Sequence, residues 1–110
     1  ERVFYLQNRF LLYETEAGMS RAACIKALRA EGVSVGAAGA QVQGNHPAYH
    51  EAQWWHHLPV IADRFPGVEE VDRRGISLPY FTKDVPELVD QYIRAFEKVW
   101  AHRKALTARR

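Results

Sequence analysis

Four of the five histidines fall at positions 46, 50, 56 and 57. They are the first residues whose type and spacing invite chemistry, because neutral imidazole is a common zinc ligand. The spacing argues against a metal site. Pro47 disfavours a helical backbone at His46, so the four-residue step to His50 need not put both rings on one face, and the adjacent His56 and His57 point apart in helix or strand. Glu51 is the nearby carboxylate that could complete a set, whereas a closed zinc site wants four well-placed ligands. We therefore expect surface or packing histidines and no metal.

The other reactive side chains are poorly placed for catalysis. Ser20 and Ser77 lack a nucleophile-elbow context, and Cys24 sits beside the apolar face of a helix, where a free cysteine behaves as a small hydrophobe. Asp63, Glu69, Glu70, Asp72 and Asp84 lie on amphipathic or turn segments where carboxylates meet water. Gly36, Gly39 and Gly44 do not have the spacing of a dinucleotide or phosphate loop. Lys26, Lys83, Lys98 and Lys104 fall on polar helix faces or ends, whereas a Schiff-base lysine needs a buried pocket that lowers its pKa. No self-contained active site, and no catalytic residue, is legible.

The elements that must position these residues follow from periodicity. Residues 3–14 read as a strand, with Phe4, Leu6, Phe10 and Leu12 on one parity. Ser20 is placed to cap a helix over about 21–31 whose inward stripe is Ala22, Ile25 and Leu28 with Cys24 beside it, and Gly32 suits a left-handed C-terminal cap. Val33-Ser34-Val35 reads as a short return strand. Residues 36–44 read as a loop that runs on into the histidine-rich stretch, which has room for one or two helical turns. Residues 58–65 read as a short helix with Pro59 in its first turn, stopped by Pro66-Gly67. Residues 75–80 read as an extended segment whose proline favours an edge or a strand end. From Val85 to Trp100 apolar residues recur at three- and four-residue spacing, the mark of an amphipathic helix, with Thr82 or Asp84 to cap it. This order of elements predicts an α+β fold, a small mostly antiparallel sheet packed by helices.

Length and composition fit that reading. The 110 residues suit a single domain, 1–110, and 47% hydrophobic with 25% charged residues is ordinary for a globular chain. The 15 basic and 13 acidic residues are interspersed without a single-sign stripe, which argues against nucleic acid as a partner. The basic run at the C-terminus reads as a solvated helix end. One cysteine excludes an internal disulfide and suits a reducing, cytoplasmic setting. No apolar run approaches the length of a membrane span, and no leader-like segment opens the chain. The chain begins at Glu1 in what reads as a strand, which suggests a piece of a longer protein.

Several segments together resemble the C-terminal small domain of the DegT/DnrJ/EryC1/StrS sugar aminotransferases, which depend on pyridoxal phosphate. They are Ser20-Arg21-Ala22-Ala23-Cys24-Ile25-Lys26-Ala27-Leu28 running on to Gly32-Val33, then His46-Pro47-Ala48-Tyr49, Leu58-Pro59, Ile76-Ser77-Leu78-Pro79, and Asp84-Val85 through Lys98-Val99. The resemblance implies the C-terminal fold of a fold type I aminotransferase acting on a nucleotide sugar or cyclitol ketone. It implies that the cofactor is held by a large domain of the same enzyme, that a second subunit completes the dimer, and that this chain is inactive alone. It also implies that the loop histidine approaches the mouth of the active site, which points to His46, with Asn45 and Tyr49 beside it, as substrate-binding residues. Trp54-Trp55-His56-His57 and the Gly/Ala loop depart from the family pattern. The alternative is a stand-alone interaction module that uses Tyr49, Trp54 and Trp55 to bind a partner.

Overall fold

A computed structural model describes residues 8–39, 42–51 and 56–107. Phe4, Leu6, Trp54 and Trp55 lie outside the described residues. The first described strand, β1, is Asn8–Leu11. It ends at Leu11, earlier than the period-two pattern, which runs to residue 14. Glu14–Ala17 form a one-turn helix, α1, closed by Gly18 in the left-handed region at φ 66°, a conformation that glycine adopts without steric cost. The Glu14 carboxylate accepts from the Arg21 amide at 2.6 Å and ties α1 to the helix that follows.

That helix, α2, is Arg21–Ala30. Ser20 caps it as expected, its hydroxyl accepting from the Ala23 amide at 3.2 Å. Gly32 at φ 87° and the Val33 amide bonded to the Leu28 carbonyl at 2.9 Å close its end. The inward stripe differs from the expected one. Cys24 and Leu28 are buried, Ile25 is half-buried and Ala22 is exposed. The step from Cys24 to Leu28 is the four-residue ridge that faces the core.

The return strand lies just beyond the expected Val33–Val35. Val33 and Val35 are core residues, and the paired residues are Gly36–Ala37, strand β2. In the register that sets Gly36 opposite Ser77, Ser34 would face Pro79, which has no N–H to donate, and the Ser34 amide instead donates to the Tyr92 hydroxyl at 3.3 Å.

Residues 58–65 are not helical. Pro66–Gly67, expected to stop a helix, instead begin α3, Pro66–Arg74. Proline has no N–H to leave unpaired and its φ suits a first helical position, and Phe65 before it, at φ −125° and ψ 74°, is outside the helical region. β3, Gly75–Leu78, follows α3 with no intervening residue, and Pro79 stands just past its end. β3 is the central strand of an antiparallel sheet ordered β1-β3-β2, with Phe10 and Ala37 both opposite Ile76.

α4, Pro86–Ala101, matches the expected amphipathic helix, but Val85 holds the cap position and no side chain bonds there. Thr82 and Asp84 therefore do not cap it. A short α5, Arg103–Thr107, follows, and Leu106 packs against the core, so the basic tail is not wholly solvated. α2 with α4 and α5 covers the sheet face that carries Phe10 and Ile76, and Leu28 and Ile76 are fully buried. The fold is α+β. No described helix is long and apolar enough to cross a membrane.

Candidate functional site

The residues implied for substrate binding form one exposed double turn. Two single turns of 3-10 helix, Gln43–Asn45 and Pro47–Tyr49, meet at His46. The His46 amide closes the first by donating to Gln43 O at 2.9 Å. Its ring opens the second, with Nδ1 accepting from the Ala48 amide at 3.2 Å. Pro47 fixes φ at the first position of that second turn, as expected of a proline there. His50 folds back over the pair, its Nε2 donating to the Gly44 carbonyl at 2.7 Å. Gly44 lies so close to residues 61–65 that a Cβ there would meet the Phe65 ring at 2.6 Å and Ile61 at 2.9 Å. The double turn is thereby seated against that segment. Asn45 and His46 are exposed and Tyr49 is half-buried.

The turn brings His46, Asn45 and Tyr49 together and joins His50 to them, which the sequence reading treated only as a candidate ligand. The signal was present: a glycine carbonyl six residues back is a ready acceptor for a histidine that closes a turn. His56 and His57 are exposed, and among the described residues no group of three or more histidines, cysteines or acids could hold a metal.

The remaining candidates have structural occupations. The Ser77 hydroxyl donates to the Gly36 carbonyl at 3.2 Å, and burial pushes the Cys24 thiol up. Arg21 sends its guanidinium to the Asp72 and Gly75 carbonyls at the end of α3. Ser20-Arg21 therefore caps two helices at once. All four lysines are exposed, and Lys98 pairs with Glu31 at 2.7 Å. A Schiff-base lysine needs a buried pocket that lowers its pKa, and none of these four is buried.

Two apolar clefts, not foreseen from the sequence, flank the edge-to-face pair of Phe10 and Phe96, whose centroids are 5.8 Å apart. One, of about 430 Å³, lies between the end of β3 and α4, walled by Leu78, Phe81, Tyr92 and Ile93. The other, of about 330 Å³, lies among Leu11, Tyr13, Cys24 and Trp100. Ile93 is 50% and Trp100 48% exposed. The cleft beside Trp100 is also lined by Glu16, and the one beside Ile93 by Glu97.

No protein-family model matches the chain, and neither the curated proteins nor the solved structures searched contain a match.

Proposed function

We propose that the chain is a binding and closing domain: the small C-terminal domain of a pyridoxal-phosphate-dependent aminotransferase of the DegT/DnrJ/EryC1/StrS type, acting on a nucleotide sugar or cyclitol ketone. In this reading the cofactor lysine lies in a large domain of the same enzyme, a second subunit completes the dimer, and the setting is the cytoplasm. The observation that carries it is the fit between family-like segments and element boundaries. Ser20-Arg21 heads α2, Leu78-Pro79 ends β3 and Asp84 through Val99 spans the entry and body of α4. The His46–Tyr49 segment stands on an exposed turn. Leu58-Pro59 departs from the pattern, since it lies on no helix.

The chain's own part would be to present His46, Asn45 and Tyr49 to the substrate and to exclude water as the pocket closes. With Nδ1 of His46 accepting from Ala48, the neutral ring offers Nε2–H outward as a donor to a substrate oxygen. Steady-state kinetics and thermal melts of His46→Ala in the complete enzyme test the reading. Impaired substrate use with little change in melting temperature is expected, because an exposed turn residue loses little folding energy. Normal turnover with a lowered melting temperature would make His46 structural.

The two apolar clefts favour a second reading, a stand-alone interaction module, since contiguous exposed apolar surface marks docking sites. The coding sequence upstream of Glu1 separates the two. Several hundred residues bearing a cofactor-binding domain support the first, and a start codon immediately upstream supports the second.

A further inference from the structure

We propose that the open edge of β1 and the apolar stripe of α4 form one self-complementary surface that takes a second copy of this chain. β1 is an edge strand, and among the described residues β3 is its one neighbour in the sheet. The Leu12 amide donates to the Arg74 carbonyl at 3.0 Å, which continues the register of β1 on β3 and turns the N–H and C=O groups of Asn8 and Phe10 toward β3. By the alternation of an antiparallel ladder, those of Arg9 and Leu11 point to the open edge. Such an edge is a template for a further strand.

α4 brings apolar surface to the same edge. Asn8 shares the larger cleft with Val89 and Ile93, and Leu11 and Tyr13 share the smaller one with Trp100, so α4 runs beside β1 in the same direction. Val89, Ile93 and Trp100 lie along one side of the helix, and Ile93 and Trp100 are half exposed.

A two-fold axis normal to the sheet satisfies strand and helix together. It keeps each side chain on its own face, so residues that face each other across it share parity. Centred on Phe10, it sets Arg9 opposite Leu11 of the second copy, and these are the residues whose backbone groups are turned outward. Centring on Arg9 instead would set two like charges against each other. Phe96 lies against Phe10 with ring centroids 5.8 Å apart, so the same axis passes near Phe96 and lays the two α4 helices antiparallel. Ile93 then meets Trp100 of the second copy, and the exposed Arg94 meets its exposed Glu97. This charge match, made twice by symmetry, favours a second copy over an unrelated partner. The surface goes beyond both functional readings, since it needs neither substrate nor cofactor, and its failure would leave them standing.

The test is analytical ultracentrifugation of the chain from about 1 μM to about 1 mM, with hydrogen exchange of the backbone amides followed on the same samples. A dimer is expected, the Arg9 and Leu11 amides gaining protection as it forms and the Phe10 amide protected in both states. Ile93→Asp sets a charge into the apolar contact and should weaken association by about tenfold or more. Because Ile93 is half exposed, the Phe10 amide should stay protected in that variant, which shows that it is folded. Arg94→Glu should weaken association by about fivefold, since two rim pairs are lost together, and adding Glu97→Arg to it should restore association. A chain that stays monomeric throughout, a dimer that Ile93→Asp leaves intact, Arg9 and Leu11 amides that exchange alike in monomer and dimer, or a double reversal that fails to restore association would each overturn the proposal.

Discussion

The Cys24 thiol is 3% exposed on the core face of α2, and desolvation pushes its pKa up, so at neutral pH it remains a thiol and a poor nucleophile. Iodoacetamide is expected to alkylate it slowly in the folded chain and rapidly in denaturant, as read by mass spectrometry; equal rates would mean the site opens freely. The opposite case is the half-buried carboxylates of α3. The hydrogen bond from Arg64 holds Glu69 below the usual range, and that from Arg73 does the same for Glu70. A depressed carboxylate contributes stability that is present above its unfolded pKa and lost as pH falls through its folded one. The melting temperature should accordingly fall on acidification below the ordinary carboxylate range, and less steeply in a Glu69→Gln, Glu70→Gln double variant. An identical slope in the two chains would show that these pairs add nothing. These side-chain types and spacings were visible in the sequence, but the state of each was not, because burial and partners come from residues far along the chain.

Among the elements, the direct passage from α3 into β3 rests on Gly75. A Cβ there would meet the Val71 carbonyl at 2.6 Å and Ala38 at 2.9 Å, and backbone cannot move aside as a flexible side chain can. Gly75→Ala is expected to cost about 1–3 kcal/mol of stability, the range for overpacking a closed site. A melt unchanged from the parent would show that the junction relaxes. Leu28 and Phe96 make a paired test of which helix stripe carries the core. Leu28 is fully buried, so Leu28→Ala should cost about 2–5 kcal/mol. Phe96 is half-buried against Phe10, so Phe96→Ala should cost less than the 3–5 kcal/mol or so of a fully buried ring. Chemical denaturation that ranks them in the reverse order would place the core on α4 instead. Periodicity identified both helices but gave α4 a broader apolar arc than the core uses. Leu88, Val89, Ile93 and Trp100 belong to that arc and are exposed, because only the arc facing α2 and Phe10 finds a partner.

At the scale of the molecule, a small sheet with helices on one face leaves apolar clefts open and lysines in solvent, an arrangement suited to docking. Borohydride reduction after incubation with pyridoxal phosphate is expected to label no single lysine stoichiometrically; capture of one lysine at full occupancy would contradict the placement of all four in water. The sequence by itself determined the α+β class, the cap at Ser20, the left-handed glycine at Gly32, an extended segment within residues 75–80, observed at Gly75–Leu78, and an amphipathic helix from Val85 to Trp100, observed at Pro86–Ala101. All of these rest on contacts within a few residues, which spacing and backbone preference report directly. Only the tertiary structure decided that β3 is central, that β2 begins past Val35, that Pro66 starts a helix, and that Arg21 closes α3 from 51 residues away. Those outcomes depend on which distant group reaches a given carbonyl or apolar face first, a competition that local pattern does not encode.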